Sequence, residues 1–289
     1  MKLFSTCNLL ATAAATMIGM SASATTVIYE GFDYDTGKWG FGQTTNATGL
    51  TGNWSGAGWT TQAPTVVAGS LSYGALSPVG NSIDAIGGKN ANASFGTSLA
   101  GLTDDGDTLW MSVLINVDSA QADMLTNGGR DYHVALSSDA MKRDNNGPLQ
   151  TGNGGNGFGI GYEGGTGFFG ATWSGGSRSI TGSTGMTGIA IDTTYMVVAE
   201  IIFGATDTIN IYTPGTDLAL GSVVATHSAA IDQSTLNRLT FANSLGSTVN
   251  SDEIRIGTTA ESVGVAIPEP GSLALLGLGG LLVARRRRG

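Results

Sequence analysis

The chain has 289 residues, a formal charge of −9 at neutral pH and a single cysteine, Cys7. With Lys2 at one end, and Glu269 and Arg285, Arg286, Arg287 and Arg288 at the other, set aside, 8 basic residues face 21 acidic ones, a net of −13. That balance repels phosphate backbones and weighs against a nucleic-acid partner. The absence of any cysteine after Cys7 means that the body must hold together by its core alone.

From the N-terminus, Lys2 precedes an apolar stretch through Met20 and then Ala22-Ser23-Ala24, a small-x-small pattern. A positive start, an apolar middle and a small-residue end predict a secretory signal peptide over residues 1–24, helical and cut after Ala24 by signal peptidase. A short buried helix is the bland alternative.

The body, residues 25–262, is rich in glycine, with Gly, Asn, Thr and Ser separating short runs of β-branched and aromatic residues. That alternation predicts many short strands. Expected strands are Thr26–Glu30, Thr65–Tyr73, Thr108–Val117, Tyr132–Leu136, Gly157–Tyr162, Phe168–Trp173, Tyr195–Phe203, Thr208–Tyr212, Ser222–Thr226, Arg238–Ala242 and Glu253–Ile256. In "DEIRIG", Ile254 and Ile256 share one face and Glu253 and Arg255 the other. "YMVVAEIIF" is apolar throughout, and its length and β-branching favour a strand covered on both faces over a helix. With no amphipathic helix, the body reads as an all-β, two-sheet antiparallel jelly-roll sandwich forming one domain.

Several motifs have bland readings that outweigh the chemical ones. Gly152, Gly154 and Gly157 fit G-x-G-x-x-G, but no helix follows, so they read as turn glycines. The only histidines are His133 and His227, and neither G-x-S-x-G nor H-E-x-x-H occurs. Glu200 is the one acid inside an apolar strand, and a second acid spaced along it for glycoside hydrolysis is missing. Asp104, Asp105 and Asp107 precede a strand, where a turn is favoured over a calcium loop. Trp39, Trp54 and Trp59 lie in a loop-like stretch. Either they stack on sugar rings or they pin the loop to the sandwich. Asn46, Asn53 and Asn92 sit in N-x-S/T triplets, glycan acceptors only where the cell has the machinery.

The chain ends in Pro268-Glu269-Pro270, an apolar run over Gly271–Ala284 and the four arginines. As a helix, those fourteen apolar residues span about 21 Å, against a hydrocarbon core of about 30 Å. A temporary anchor fits that length better than a permanent one, with the arginines cytoplasmic. The three parts in this order resemble the PEP-CTERM sorting signal of bacterial envelope proteins, here residues 263–289. The resemblance implies a halt in the inner membrane, then action by the membrane protease exosortase near Pro-Glu-Pro, and placement at the cell surface, outer envelope or extracellular matrix.

"VIYEGFDY", "GLTGNWSG", "DTLWMSVLI" and "DEIRIGTT" resemble islands of the LamG-like, concanavalin A-like jelly roll. That resemblance implies a fold and, in some members, binding of glycans such as exopolysaccharide. It also implies that first and last strands meet, with a structural calcium on the matching acids, Glu30 and Asp252. Two solvated strand-end carboxylates are the alternative, and no other cofactor is expected. The expected role is a non-enzymatic surface or matrix protein, structural or adhesive. A lectin-like module and a divergent glycan hydrolase or lyase are the rivals.

Overall fold

The computed structural model describes residues 24–39, 42–55, 64–86, 90–96, 99, 101–117, 131–139, 141–143, 149–151, 155–163, 167–175, 177–180, 189–243 and 248–266. Residues 1–23 of the expected signal peptide, Trp59 and the tail from Ile267 onward lie outside them. No helix of the described residues is long and apolar enough to cross a membrane.

In chain order the strands are β1 (Thr26–Glu30), β2 (Gly37–Lys38), β3 (Leu50–Ser55), β4 (Thr65–Val67), β5 (Ser82–Ile86), β6 (Asn90–Phe95), β7 (Thr108–Val117), β8 (Asp131–Ser137), β9 (Met141–Arg143), β10 (Leu149–Thr151), β11 (Gly157–Glu163), β12 (Gly167–Ser174), β13 (Ser177–Ile180), β14 (Thr194–Ile202), β15 (Asp207–Tyr212), β16 (Ala225–Ala229), β17 (Arg238–Asn243) and β18 (Thr248–Gly257). One sheet has nine strands in the order β16-β15-β14-β7-β18-β5-β4-β2, with β1 also paired to β18. The other has seven, β13-β12-β11-β8-β17-β6-β3, and β9 and β10 form a two-stranded ribbon. The two large sheets are antiparallel throughout and pack as the expected sandwich.

Side-chain alternation explains the layers. In β7, Leu109, Met111, Val113, Ile115 and Val117 join the core between the sheets. Trp110 and Leu114 join a second cluster on the outer face, with Met196, Val198 and Tyr212. That outer face is roofed by Leu71, Tyr73, Leu76, Leu218, Leu220, Ala260, Val263 and Val265. Cover on both faces over most of their length is why "TLWMSVLINV" and "YMVVAEII" read as near-continuous apolar runs, with Ile202 at the end of β14 left exposed.

Strand β18 is the pivot of the larger sheet. It pairs with β7 along one edge. Its other edge is shared end to end, with β5 on Thr248–Ser251 and β1 on Ile254–Gly257. A bulge between Asp252 and Arg255, with Glu253 at φ 53°, separates the two halves. A bulge bends its strand and increases the local twist, which allows two partners to meet one edge.

The expected strand Thr65–Tyr73 is only Thr65–Val67, because residues 68–81 leave the sheet and cross its outer face. Expected Ser222–Thr226 sits later, at Ala225–Ala229. Strands β3, β5 and β6 were not expected from sequence, since "LTGNWS", "SIDAI" and "NANASF" mix small, polar and apolar residues without a clear period.

Phe241 of β17 stacks on Trp39 at 5.1 Å and meets Phe32 edge-on at 6.0 Å in the middle of the core. Phe241→Ala removes a fully buried ring and leaves a cavity. The expected loss is about 3–5 kcal/mol of folding free energy, measured by urea unfolding of the purified domain.

Candidate functional site

Both ends of the described chain converge on β18. The Thr258 amide donates to the Thr25 carbonyl at 3.1 Å, and the Thr26 hydroxyl donates to the Ser262 carbonyl at 2.8 Å. Three buried acids lie at this seam: Glu30, Asp252 and Glu253.

Glu30 faces the core. Its Oε1 accepts from the Phe32 amide at 2.6 Å and its Oε2 from the Tyr34 hydroxyl at 2.7 Å. That hydroxyl in turn accepts from Trp54 Nε1 at 3.0 Å. Burial pushes the Glu30 carboxyl up to about 7, against the lowering effect of its two donors.

Asp252 faces outward, under the segment 68–81. Its Oδ2 accepts from the Leu71 amide at 2.9 Å and its Oδ1 from the Glu253 amide at 2.7 Å. Burial raises this carboxyl to about 8. Glu253 Oε1 accepts from the Tyr29 hydroxyl at 2.7 Å and the Val79 amide at 3.0 Å, and its Oε2 pairs with Arg255. The Arg255 guanidinium also lies 5.2 Å over the Tyr29 ring. The bulge is thus a clasp for residues 68–81.

This geometry does not fit a calcium shared by Glu30 and Asp252. The two side chains turn to opposite faces of the sheet, and each of their oxygens already takes a donor from the protein. Among the described residues no group of three or more His, Cys, Asp or Glu is placed to hold a metal ion. Nor are these acids solvated strand ends, since both are fully buried.

For Trp39 and Trp54, two of the three tryptophans expected as sugar contacts or pins, the packing favours pinning. Trp39 is 3% exposed and Trp54 1% exposed. Their rings lie 4.5 Å apart, wedged among Tyr34 and Phe241, so neither presents a face to a sugar. Trp39 and Trp54 are therefore corrected from candidate sugar contacts to core residues. Polar neighbours in the sequence hid this, because the burial comes from Phe241 of β17, which lies two strands from β3 in the same sheet and packs on both rings. Asn92 is likewise fully buried, with its Oδ1 accepting from the Thr240 hydroxyl at 2.6 Å, and offers no glycan acceptor in the folded domain.

The remaining acids are held locally. The Asp107 amide donates to the Asp104 carbonyl at 2.9 Å, and Gly106 takes a φ of 97°, as the turn reading requires. Glu200 Oε2 accepts from Asn210 Nδ2 at 3.0 Å and from the Tyr212 hydroxyl at 2.9 Å, a cross-strand set on the outer face. His227 Nε2 lies 2.9 Å from the Thr172 hydroxyl, and burial lowers its pKa. The His133 side chain is outside the described residues.

One open cavity, about 660 Å³, lies at an end of the sandwich with Phe95, Leu99 and Leu236 among its walls and Asp104, Asp105 and Asp232 at its lining. Sequence offered no sign of it, because the two contributing loops are far apart in the chain: Gln233 Nε2 reaches Asp105 Oδ1 across 128 residues. A second, about 390 Å³, is lined by Tyr29, Thr48, Val79 and Arg255 beside the seam.

The chain then leaves by a docked segment. A 3-10 turn over Glu261–Val263 ends at Gly264, whose φ of 89° is left-handed. Val263 and Val265 are buried in the outer cluster, and the Ser112 hydroxyl donates to the Val263 carbonyl at 2.8 Å. The Ala266 amide donates to the Leu218 carbonyl at 2.8 Å.

Residues 266–288 match the PEP-CTERM protein-sorting motif, which implies export with sorting by exosortase. No curated protein matches the chain in sequence. Among solved structures, the fold resembles an endo-β-1,4-glucuronan lyase from the fungus Trichoderma reesei, at 11% identity and TM-score 0.46, covering 84% of this chain and 100% of that one. A protein of unknown function from Shewanella oneidensis MR-1 is similar at 13% identity and TM-score 0.47, covering 86% and 92%. The globular domain of T. cruzi calreticulin is similar at 12% identity and TM-score 0.46, covering 83% and 90%. These likenesses concern the shape of the sandwich alone.

The buried acids set a pH dependence. A carboxyl whose folded pKa lies above its unfolded value binds more protons when folded. Its contribution is present in full below the unfolded value and is lost as pH rises through the folded one. For Glu30 that window is about 4.5 to 7, and for Asp252 about 3.8 to 8. The melting temperature should therefore fall as pH is raised from 5 to 9. Glu30→Gln should flatten the lower part of that slope, which at this burial is on the order of 2 kcal/mol. Differential scanning calorimetry across pH checks it. A flat profile in the unmodified domain is the contrary outcome.

Proposed function

We propose that this chain is an exported cell-surface or extracellular-matrix protein whose jelly-roll domain is non-catalytic and serves a structural or adhesive role in an exopolysaccharide setting. Exosortase processes its tail after a temporary halt in the inner membrane. The observation that carries this reading is the sorting motif at residues 266–288, which begins on Ala266, the last of the described residues and one bonded to the sandwich.

The state of the acids supports a non-catalytic domain. Glu30, Asp252, Glu253 and Glu200 are each tied to protein donors, and the first three are fully buried at the seam. Glycoside cleavage needs two carboxyl groups facing one another across an open groove. These four are committed to strand clasps, and at the open cavity Asp105 accepts from Gln233 Nε2 and Asp232 from the Ser234 amide and hydroxyl, so those acids too are tied to protein donors.

Intact mass of the protein from its native host, fraction by fraction, tests the reading. The expected species runs from Thr25 to the Pro268-Glu269-Pro270 region and is found at the surface or in the medium, any added mass identifying an attached group. A species that keeps Leu273–Arg288 and remains in the inner membrane overturns it. Turnover of acidic polysaccharide by the purified domain overturns the non-catalytic half.

A further inference from the structure

The sandwich and the sorting motif have almost no chain between them. Ala266 forms a parallel bridge with Ala219 and donates its amide to Leu218. Only Ile267 stands between Ala266 and Pro268. Fully extended, the four residues that follow Ala266, Ile267 to Pro270, reach at most about 14 Å.

The residues just before the motif are held in a shape that an extended-chain binding cleft does not accept. Gly264 is left-handed, and the Val265 amide folds back to the Ala260 carbonyl at 3.1 Å. Val263 and Val265 face the outer cluster around Trp110, Leu114 and Met196. A substitution at Gly264 would bring a Cβ within 2.9 Å of Leu76, so this turn is packed as well as bent. A peptide laid into a cleft is ordinarily extended, its backbone available for pairing. The docked backbone is neither.

We propose that residues 258–266 act as a latch: the tail becomes a substrate for its membrane protease only when this segment undocks from the outer face of the sandwich. The inference rests on the sorting reading above. It adds that processing is governed by a local opening equilibrium of the folded domain. When opening and closing are fast relative to cleavage, the rate of cutting tracks the population of the open form. The same equilibrium keeps the domain close against the membrane surface until release, because the docked chain provides no free tether.

The test is pulse–chase of the full chain in a bacterium that carries an exosortase, with release followed by intact mass. Three forms are compared: the unmodified chain, one with a flexible Gly/Ser spacer between Ala266 and Ile267, and Val265→Asp. The spacer gives the protease an extended approach without touching the domain, whose melting temperature should be unchanged. Release from the spacer form is expected to be about tenfold faster, the factor worth 1.4 kcal/mol of docking. Val265→Asp should speed release in the same direction by undocking the segment. A spacer that leaves the rate unchanged, or slows it, overturns the latch and leaves the sorting reading intact. Retention of the full tail in all three forms overturns both.

Discussion

The bulge in β18 is the constraint on which the rest of the structure depends. One strand edge must serve both β5 and β1, and a regular strand could not bend enough to do so. The extra residue turns Glu253 into a left-handed conformation and aims Asp252 and Glu253 out of the sheet. Their oxygens then collect the amides of Leu71 and Val79. Residues 68–81 are thereby drawn across the outer face, where Leu71, Tyr73 and Leu76 help to cover Trp110 and Leu114. A local strain in one strand thus becomes the roof of a second hydrophobic layer.

The buried acids belong to that construction. A carboxyl taken out of water costs free energy unless its oxygens find donors. Here each finds donors from segments that need anchoring: Glu30 from the start of the aromatic loop, Asp252 from the crossing segment, Glu253 from Tyr29 and Arg255. Without a disulfide, such contacts do the work of cross-links between distant parts of the chain. They hold in a protonation-dependent way that a covalent bond would not.

Much of the sandwich was legible in the sequence, and the misses have physical causes. Thr26–Glu30 and Thr108–Val117 were read to the residue, because β-branched runs bounded by turn chemistry leave little choice. Strands β5 and β6 were invisible, since "SIDAI" and "NANASF" are made strands by partners in β18 and β17 that only the fold supplies. Glu30 and Asp252 were singled out as neighbours of the first and last strands, which they are. The direction of each side chain depends on the bulge, and no local pattern announces one. Trp54 looked like a loop residue because Gly52 and Asn53 precede it, and its burial is settled by Phe241, far away in the chain. The sorting tail was the most legible part of all, because its chemistry is wholly local.

The position of β18 has a consequence for how the protein is made. It comes from the last part of the folded domain, yet it lies in the interior of the nine-stranded sheet, between β7 on one edge and β5 and β1 on the other. Until residues 248–257 arrive, β7 has an open edge, and β1 and β5 have no neighbour to join them to it. A chain crossing a membrane N-terminus first delivers those residues late, so the larger sheet cannot close while translocation is under way. Contacts this distant in sequence also fold slowly. A pause of the chain at its tail would hold the newly emerged final strand beside an unfinished sheet, giving assembly time to finish before the product diffuses away.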